Sequence, residues 1–263
     1  MGKYERDLAT YNAITANGTD NLTHAERIAL INLYGVSHHD RGGKIEGIDS
    51  CDSSCHGCTF CQHMREAAEH DHLIICGLCY DAEQETGYKS ATITPRHQLN
   101  LRIMANTLFE VDELATLSTR QIIRINSSGD LENVTHARNM IRIAKAKPWA
   151  RVAIWTKNIP AIESALAEEG KPINLIIVVS SPRINHPIRR PAWADYTFTV
   201  YDADHIDAAI AAGAMPCNGT KCKICGYKCY FGLWPAGADI AEILRIPGGK
   251  GKKKQPGSKE KKK

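Results

Sequence analysis

The ten cysteines of this 263-residue chain fall in two groups, Cys51, Cys55, Cys58, Cys61, Cys76 and Cys79 near one end and Cys217, Cys222, Cys225 and Cys229 near the other. The opening residues Met1 to Arg6 contain no apolar signal core, so a cytoplasmic, reducing compartment is expected. Thiols grouped there mean metal or redox chemistry rather than structural disulfides. The second group runs Cys217-x4-Cys222-x2-Cys225-x3-Cys229, and its first two spacings are those used around plant-type iron–sulfur clusters. Four thiolates packed so closely suit a compact cluster, whereas zinc sites usually set two close pairs well apart. An iron–sulfur cluster is therefore expected here, with zinc as the alternative.

The first group has more ligands than one site needs, so one or two 4Fe-4S clusters are expected in all. Cys51-x3-Cys55-x2-Cys58 matches the triad by which radical S-adenosylmethionine enzymes hold a 4Fe-4S cluster. In those enzymes the triad follows the first strand and an aromatic residue precedes its last cysteine. Here Gly57 precedes Cys58, Phe60 precedes Cys61 instead, and residues 37–54 read as a Gly-, His- and Asp-rich loop. A second grouping takes Cys58 or Cys61 with Cys76 and Cys79 and leaves Cys51 and Cys55 surplus. Of the neighbouring histidines, His56 and His63 are the two to weigh as ligands, since a histidine is more often a surface or helix-face residue.

The elements that must position these thiols follow from the apolar pattern. Thr23 and Glu26 form a capping box ahead of an amphipathic helix through residue 34. After Cys61 strand-like and helical segments alternate. Strands are expected at 72–76, 121–126, 151–156, 174–180 and 196–201, and helices at 95–109, 134–147, 159–169 and 204–213. Continuous apolar runs such as Leu175 to Val179 belong to strands buried on both faces. Repeated βα units predict an α/β fold, a partial or open (β/α) barrel with cysteine-rich metal-binding loops at both ends. Chemistry in such folds gathers where strands end, here at Cys76 and Cys79, at Asn126 to Asp130, at Trp155 to Asn158 and at Ser180 to Pro182.

Three segments, Ile75-Cys76-Gly77-Leu78-Cys79-Tyr80, Arg124 to Leu131 with its Ser128-Gly129-Asp130 turn, and Ala153 to Asn158 with Thr156-Lys157, together resemble a family of phage and prophage proteins of the gene-product-88 type. The closing Cys222-Lys-Ile-Cys225-Gly-Tyr-Lys-Cys229-Tyr230 is similar to that family's terminal cysteine motif. The resemblance covers about residues 50 to 232 and implies a phage-related cytoplasmic iron–sulfur protein without an established reaction. The crowded Cys51 to Cys61 segment departs from the family pattern. A likeness to radical S-adenosylmethionine enzymes adds a role for the second strand end. Ser128, Gly129 and Asp130 would bind the amino group of S-adenosylmethionine, or else form a tight turn with Asp130 capping the next helix. Lys157 is read either as a cation facing a ligand carboxylate or as a solvated loop lysine. Asp130 and Lys157 are the candidate catalytic residues.

The net charge of +4 misleads, because eight Lys against Glu260 give residues 248–263 a charge of +7 and leave −3 on the rest. That tail reads as a disordered segment able to make weak, salt-sensitive contact with nucleic acid. No apolar run is long enough for a membrane span. The expected organisation is an N-terminal helix and loop (1–50), the βα body (51–232), a short C-terminal segment (233–247) and the tail (248–263). The expected function is an iron–sulfur redox or radical enzyme; the alternative is a non-catalytic, zinc-stapled module whose basic tail contacts nucleic acid.

Overall fold

A computed structural model of the protein describes residues 2–40, 43–87, 90–217 and 221–244; the Lys-rich tail lies outside the described residues. Two helices open the chain, α1 (Lys3–Ile14) and α2 (His24–Leu33), the second started by the Thr23/Glu26 capping box. The sheet follows with β1 (Ser37–His38), β2 (Asp49–Cys51), β3 (Ile122–Ile125), β4 (Arg151–Thr156), β5 (Leu175–Ser180), β6 (Tyr196–Tyr201), β7 (Met215–Cys217) and β8 (Asp239–Ile243). The helices between them are α3 (Thr59–Ala68), α4 (Tyr80–Thr86), α5 (Ile93–Asn106), α6 (Val134–Ala146), α7 (Ile159–Glu169), α8 (Ile206–Ala211) and α9 (Cys222–Cys225).

The eight strands make one sheet in the order β1-β2-β3-β4-β5-β6-β8-β7, with β1 antiparallel and every other pairing parallel. The fold is therefore mixed α/β with a mostly parallel sheet. Among the described residues the ladder has two open edges, and no pairing closes it into a barrel. Alternation splits the strand side chains between two cores. Ile123, Ile125, Val152, Ile154, Ile177 and Val179 pack against apolar residues of α5, α6 and α7. Ile122, Ala153, Ile176, Val178, Tyr196 and Ile240 face the other way, onto Cys222 and Tyr230 of the C-terminal thiol segment. One face of the sheet is thus clad by helices and the other by a cysteine-rich loop.

Seven of the expected strands and helices fall within a residue or two of their observed limits, in β3 to β6 and α6 to α8, and two expectations need correction. The segment 72–76 is not a strand of the sheet; it is turn and 3-10 helix (Ile75–Leu78) with a single antiparallel bridge from Ile74 to Arg183. The first parallel strand is β2, inside the segment read as loop. Its three residues are too few to show a period, and it is a strand because Asp49, Ser50 and Cys51 pair with Ile123, Arg124 and Ile125.

Candidate functional site

Three parallel strands end side by side, and each releases a loop that the next one holds. From β2 the chain passes through Asp52, Ser53 and Ser54 to Cys55; from β3 it passes through Asn126 to Asp130; from β4 it reaches Lys157. The Asp52 carboxylate accepts hydrogen bonds from the backbone N–H of Ser127 (3.0 Å) and Ser128 (3.2 Å) and from the Ser127 hydroxyl. Gly129 has φ +78°, and its N–H donates to Cys55 Sγ at 3.3 Å. A Cβ there would lie 2.2 Å from Ser53 Oγ and 2.5 Å from the Ser53 carbonyl oxygen, so glycine is required both by the left-handed conformation and by the approach.

Glu85 of α4, fully buried, anchors the thiol loop from the other side. It accepts from the Ser54 hydroxyl (2.9 Å) and from the backbone N–H of Cys55 (2.9 Å) and His56 (3.0 Å). His97 of α5 lies between the two anchors, 4.0 Å from Asp52 and 3.9 Å from Glu85, buried and with neither ring nitrogen hydrogen-bonded.

The thiols of the first group divide. Cys51 lies on β2 in the helix-side core, beside the Tyr34 hydroxyl, and burial pushes its thiol up to about 12. It is not brought to the other five. Cys55 is central among those: the thiols of Cys61 and Cys79 hydrogen-bond to its sulfur and, with the Gly129 N–H and Lys157, hold its ionisation well below the usual thiol range despite burial. The same shared charge at Cys55 pushes Cys61 and Cys79 up. Cys58 starts α3, its sulfur accepting the Cys61 N–H at 3.4 Å, and Cys58, Cys61, Phe60 and Leu101 form a small apolar cluster. Cys76 is half-buried and raised by that burial, with Lys157 opposing. His56 spends Nε2 on the Ala82 carbonyl (2.9 Å), and His63 is exposed.

Of the residues expected at the second and third strand ends, Asp130 and Lys157 are neighbours. The Asp130 carboxylate is buried and accepts from Leu131 N–H (2.7 Å), Thr156 hydroxyl (2.5 Å) and Lys157 N–H (2.9 Å). Burial raises it, with Lys157 opposing. It does not cap α6; Asn133 does, accepting from His136 N–H at 2.9 Å. Burial pulls the Lys157 ammonium down, but Cys76, Asp130, Cys79 and Cys61 outweigh it and leave it raised. Ser128 is buried with its hydroxyl unpartnered.

The second group surrounds β7 and α9. Burial raises Cys222 to about 11 and Cys229 to about 12, and the Arg124 guanidinium opposes both shifts. Arg124 projects from β3 on the loop-clad side, stacked 4.5 Å over the Trp155 ring, and Trp155 itself lies 5.2 Å from Tyr230. A cleft of about 180 Å³ opens between the groups, lined by Cys55 and Cys79 on one side and by Cys217, Cys222 and Cys229 on the other, with Arg124, Asn126 and Lys157 among its further walls. A larger space of about 700 Å³ continues from it past Cys76 and Tyr80. Among the described residues no three His, Cys, Asp or Glu side chains are already drawn together as the ligands of a single metal ion. No described helix is long and apolar enough to cross a membrane.

Sequence reasoning missed Asp52, Glu85, His97 and Arg124, and it named Asn126 only as the first residue of a strand end. A charge at Arg124 inside the apolar run Ile122 to Ile125 was the one available signal; the others are ordinary polar residues until the fold places them. No curated protein and no solved structure matches the chain. A family model described as gene product 88 matches residues 6–230, which hold both thiol groups and the strands between them. The chain belongs to the gene product 88 family.

Proposed function

We propose that this phage-type protein is an iron–sulfur protein, and that its two thiol groups serve one redox or radical reaction in the cleft between them. The observation that carries the reading is that the cleft is walled by thiols from both ends of the chain, with a cation beside each set: Lys157 near Cys76 and Cys79, Arg124 near Cys222 and Cys229. The donor sets fit thiolate-ligated iron, whose negative charge needs such compensation in a partly buried site. Cys55, Cys58, Cys61, Cys76 and Cys79 would hold one cluster between them, and Cys217, Cys222, Cys225 and Cys229 the other. Bound clusters would supply one-electron transfer.

The radical S-adenosylmethionine form of this reading is supported by the context, though not the spacing, of a different triad from the one at 51/55/58. The loop carrying Cys55-x2-Cys58-x2-Cys61 follows a parallel strand, and Phe60 precedes its last cysteine. The chain's own groups would orient the ligand. The N–H groups of the 127–129 turn are fixed by Asp52 and Cys55. Asp130, with three of about four acceptor positions used, keeps one for an amino group.

Anaerobic purification with iron, sulfide and zinc analysis tests the reading. A brown protein with a broad visible band and acid-labile sulfide is expected. A colourless protein holding stoichiometric zinc would replace it with a zinc-stapled module. After reduction and addition of S-adenosylmethionine, methionine and 5′-deoxyadenosine are expected. An unmoved spectrum and neither product would leave an electron-transfer protein.

A further inference from the structure

The Asn126 side chain lines the cleft, is 5% exposed, and has neither its amide nitrogen nor its amide oxygen hydrogen-bonded. A buried carboxamide with both ends unsatisfied is costly, because water is lost from each end without a replacement partner. Its backbone is also held at φ +59°, a conformation uncommon outside glycine. Such strain persists only where neighbours impose it. The imposing contact is visible: Asn126 N–H is tied to the Cys51 carbonyl at 3.1 Å, and the next two N–H groups are tied to Asp52. Two residues earlier Arg124 presents a guanidinium to the same cleft, its Cζ 4.5 Å from the centre of the Trp155 ring and its Nε unpartnered. Lys157 lines the cleft as well.

These groups specify complementary chemistry. An amide with free donor and acceptor pairs with a planar edge carrying an adjacent acceptor and donor, as an adenine base or a carboxamide does. A guanidinium held over an aromatic ring, with a lysine nearby, takes a carboxylate or phosphate. We propose that Asn126 and Arg124 form the recognition site for a small anionic molecule that carries such an edge, the edge on Asn126 and the anionic group toward Arg124 and Lys157. The inference uses the cleft of the reading above but not its metal.

Titration calorimetry on the purified holoprotein tests it, with AMP as the nucleotide probe and glutamine as the amino-acid probe. Asn126→Gly removes the amide while the glycine tolerates the same φ. Arg124→Met removes the charge, and Arg124→Lys is the fallback if the methionine variant does not fold. At least one probe is expected to bind the wild type, weakened about tenfold or more by Asn126→Gly and by the Arg124 variant; the probe that binds identifies the source of the edge. No binding of either probe up to about 1 mM, or binding that Asn126→Gly leaves unchanged, overturns the inference. Iron analysis of the same samples separates the two readings. Iron-free protein that binds a probe keeps the recognition site and removes the clusters, and iron-loaded protein that binds neither does the reverse.

Discussion

Gly129 donates its backbone N–H to the Cys55 sulfur at 3.3 Å, joining the turn after β3 to the thiol loop after β2 at a point with no room for a side chain. Placing a methyl group there must part the two loops. Gly129→Ala is therefore expected to lose the iron of the first group, about half of the total if two clusters are present, and to lower stability by about 1–3 kcal/mol. Iron per chain and thermal unfolding measure the two effects. Full iron in this variant would show that the turn does not support the thiols.

Cys51 and Cys55 should respond oppositely. Cys51 is a core residue against Tyr34, so Cys51→Ala should keep its iron and cost about 1 kcal/mol of stability. Cys55 is the thiol on which Cys61 and Cys79 converge, so Cys55→Ser should empty the first site. Metal analysis of the pair decides between this placement and the 51/55/58 triad.

The second group has no spare thiol. Cys225→Ser should remove about half the iron of a two-cluster protein while leaving the first group loaded. Unchanged iron would end the assignment of Cys217, Cys222, Cys225 and Cys229 as ligands.

Acid should destabilise the fold through His136 before it reaches the carboxylates. Burial lowers this imidazole from 6.5 to about 4, and its Nδ1 accepts the Glu132 N–H at 3.2 Å. The folded protein therefore binds fewer protons than the unfolded chain between those values. Stability is full above pH 6.5 and falls as the pH drops toward 4, by up to about 3 kcal/mol. His136→Gln should flatten urea midpoints across that window. Equal pH dependence in both proteins would refute the assignment.

A chain ending at Pro247 should keep its iron and its unfolding temperature. The lysines removed can supply only salt-sensitive contacts to phosphates. Loss of iron in the shortened chain would give the tail a structural role.

How far the sequence could be read depended on how local each signal was. The run Leu175 to Ser180 declared itself because every side chain is apolar or small and buried, and the apolar pattern set α7 at residues 159–169. The cysteine spacings located both thiol groups. What stayed hidden was set by partners distant in sequence. Three residues at Asp49 to Cys51 become a strand through β1 and through β3, the latter more than seventy positions later. The exclusion of Cys51 from the thiol group follows from that pairing, since a strand residue in the helix-side core cannot also reach the cleft. Glu85 and Asp52 likewise mean nothing alone and become anchors once α4 and β3 stand beside the thiol loop.

The sheet order also fixes a sequence of events during synthesis. β7, which ends at Cys217, pairs with β8 and with no other strand, and β8 is the last strand of the described chain although it lies between β6 and β7. On the ribosome the first thiol group can be built once β3, β4, β5 and the Arg183 bridge to Ile74 have emerged. Among the described residues, the strand that ends at Cys217 has no partner strand until residues 239–243 clear the exit tunnel. The two halves of the cleft therefore mature at different times, and a nascent chain stalled after Tyr230 would carry all ten cysteines with β7 still unpaired.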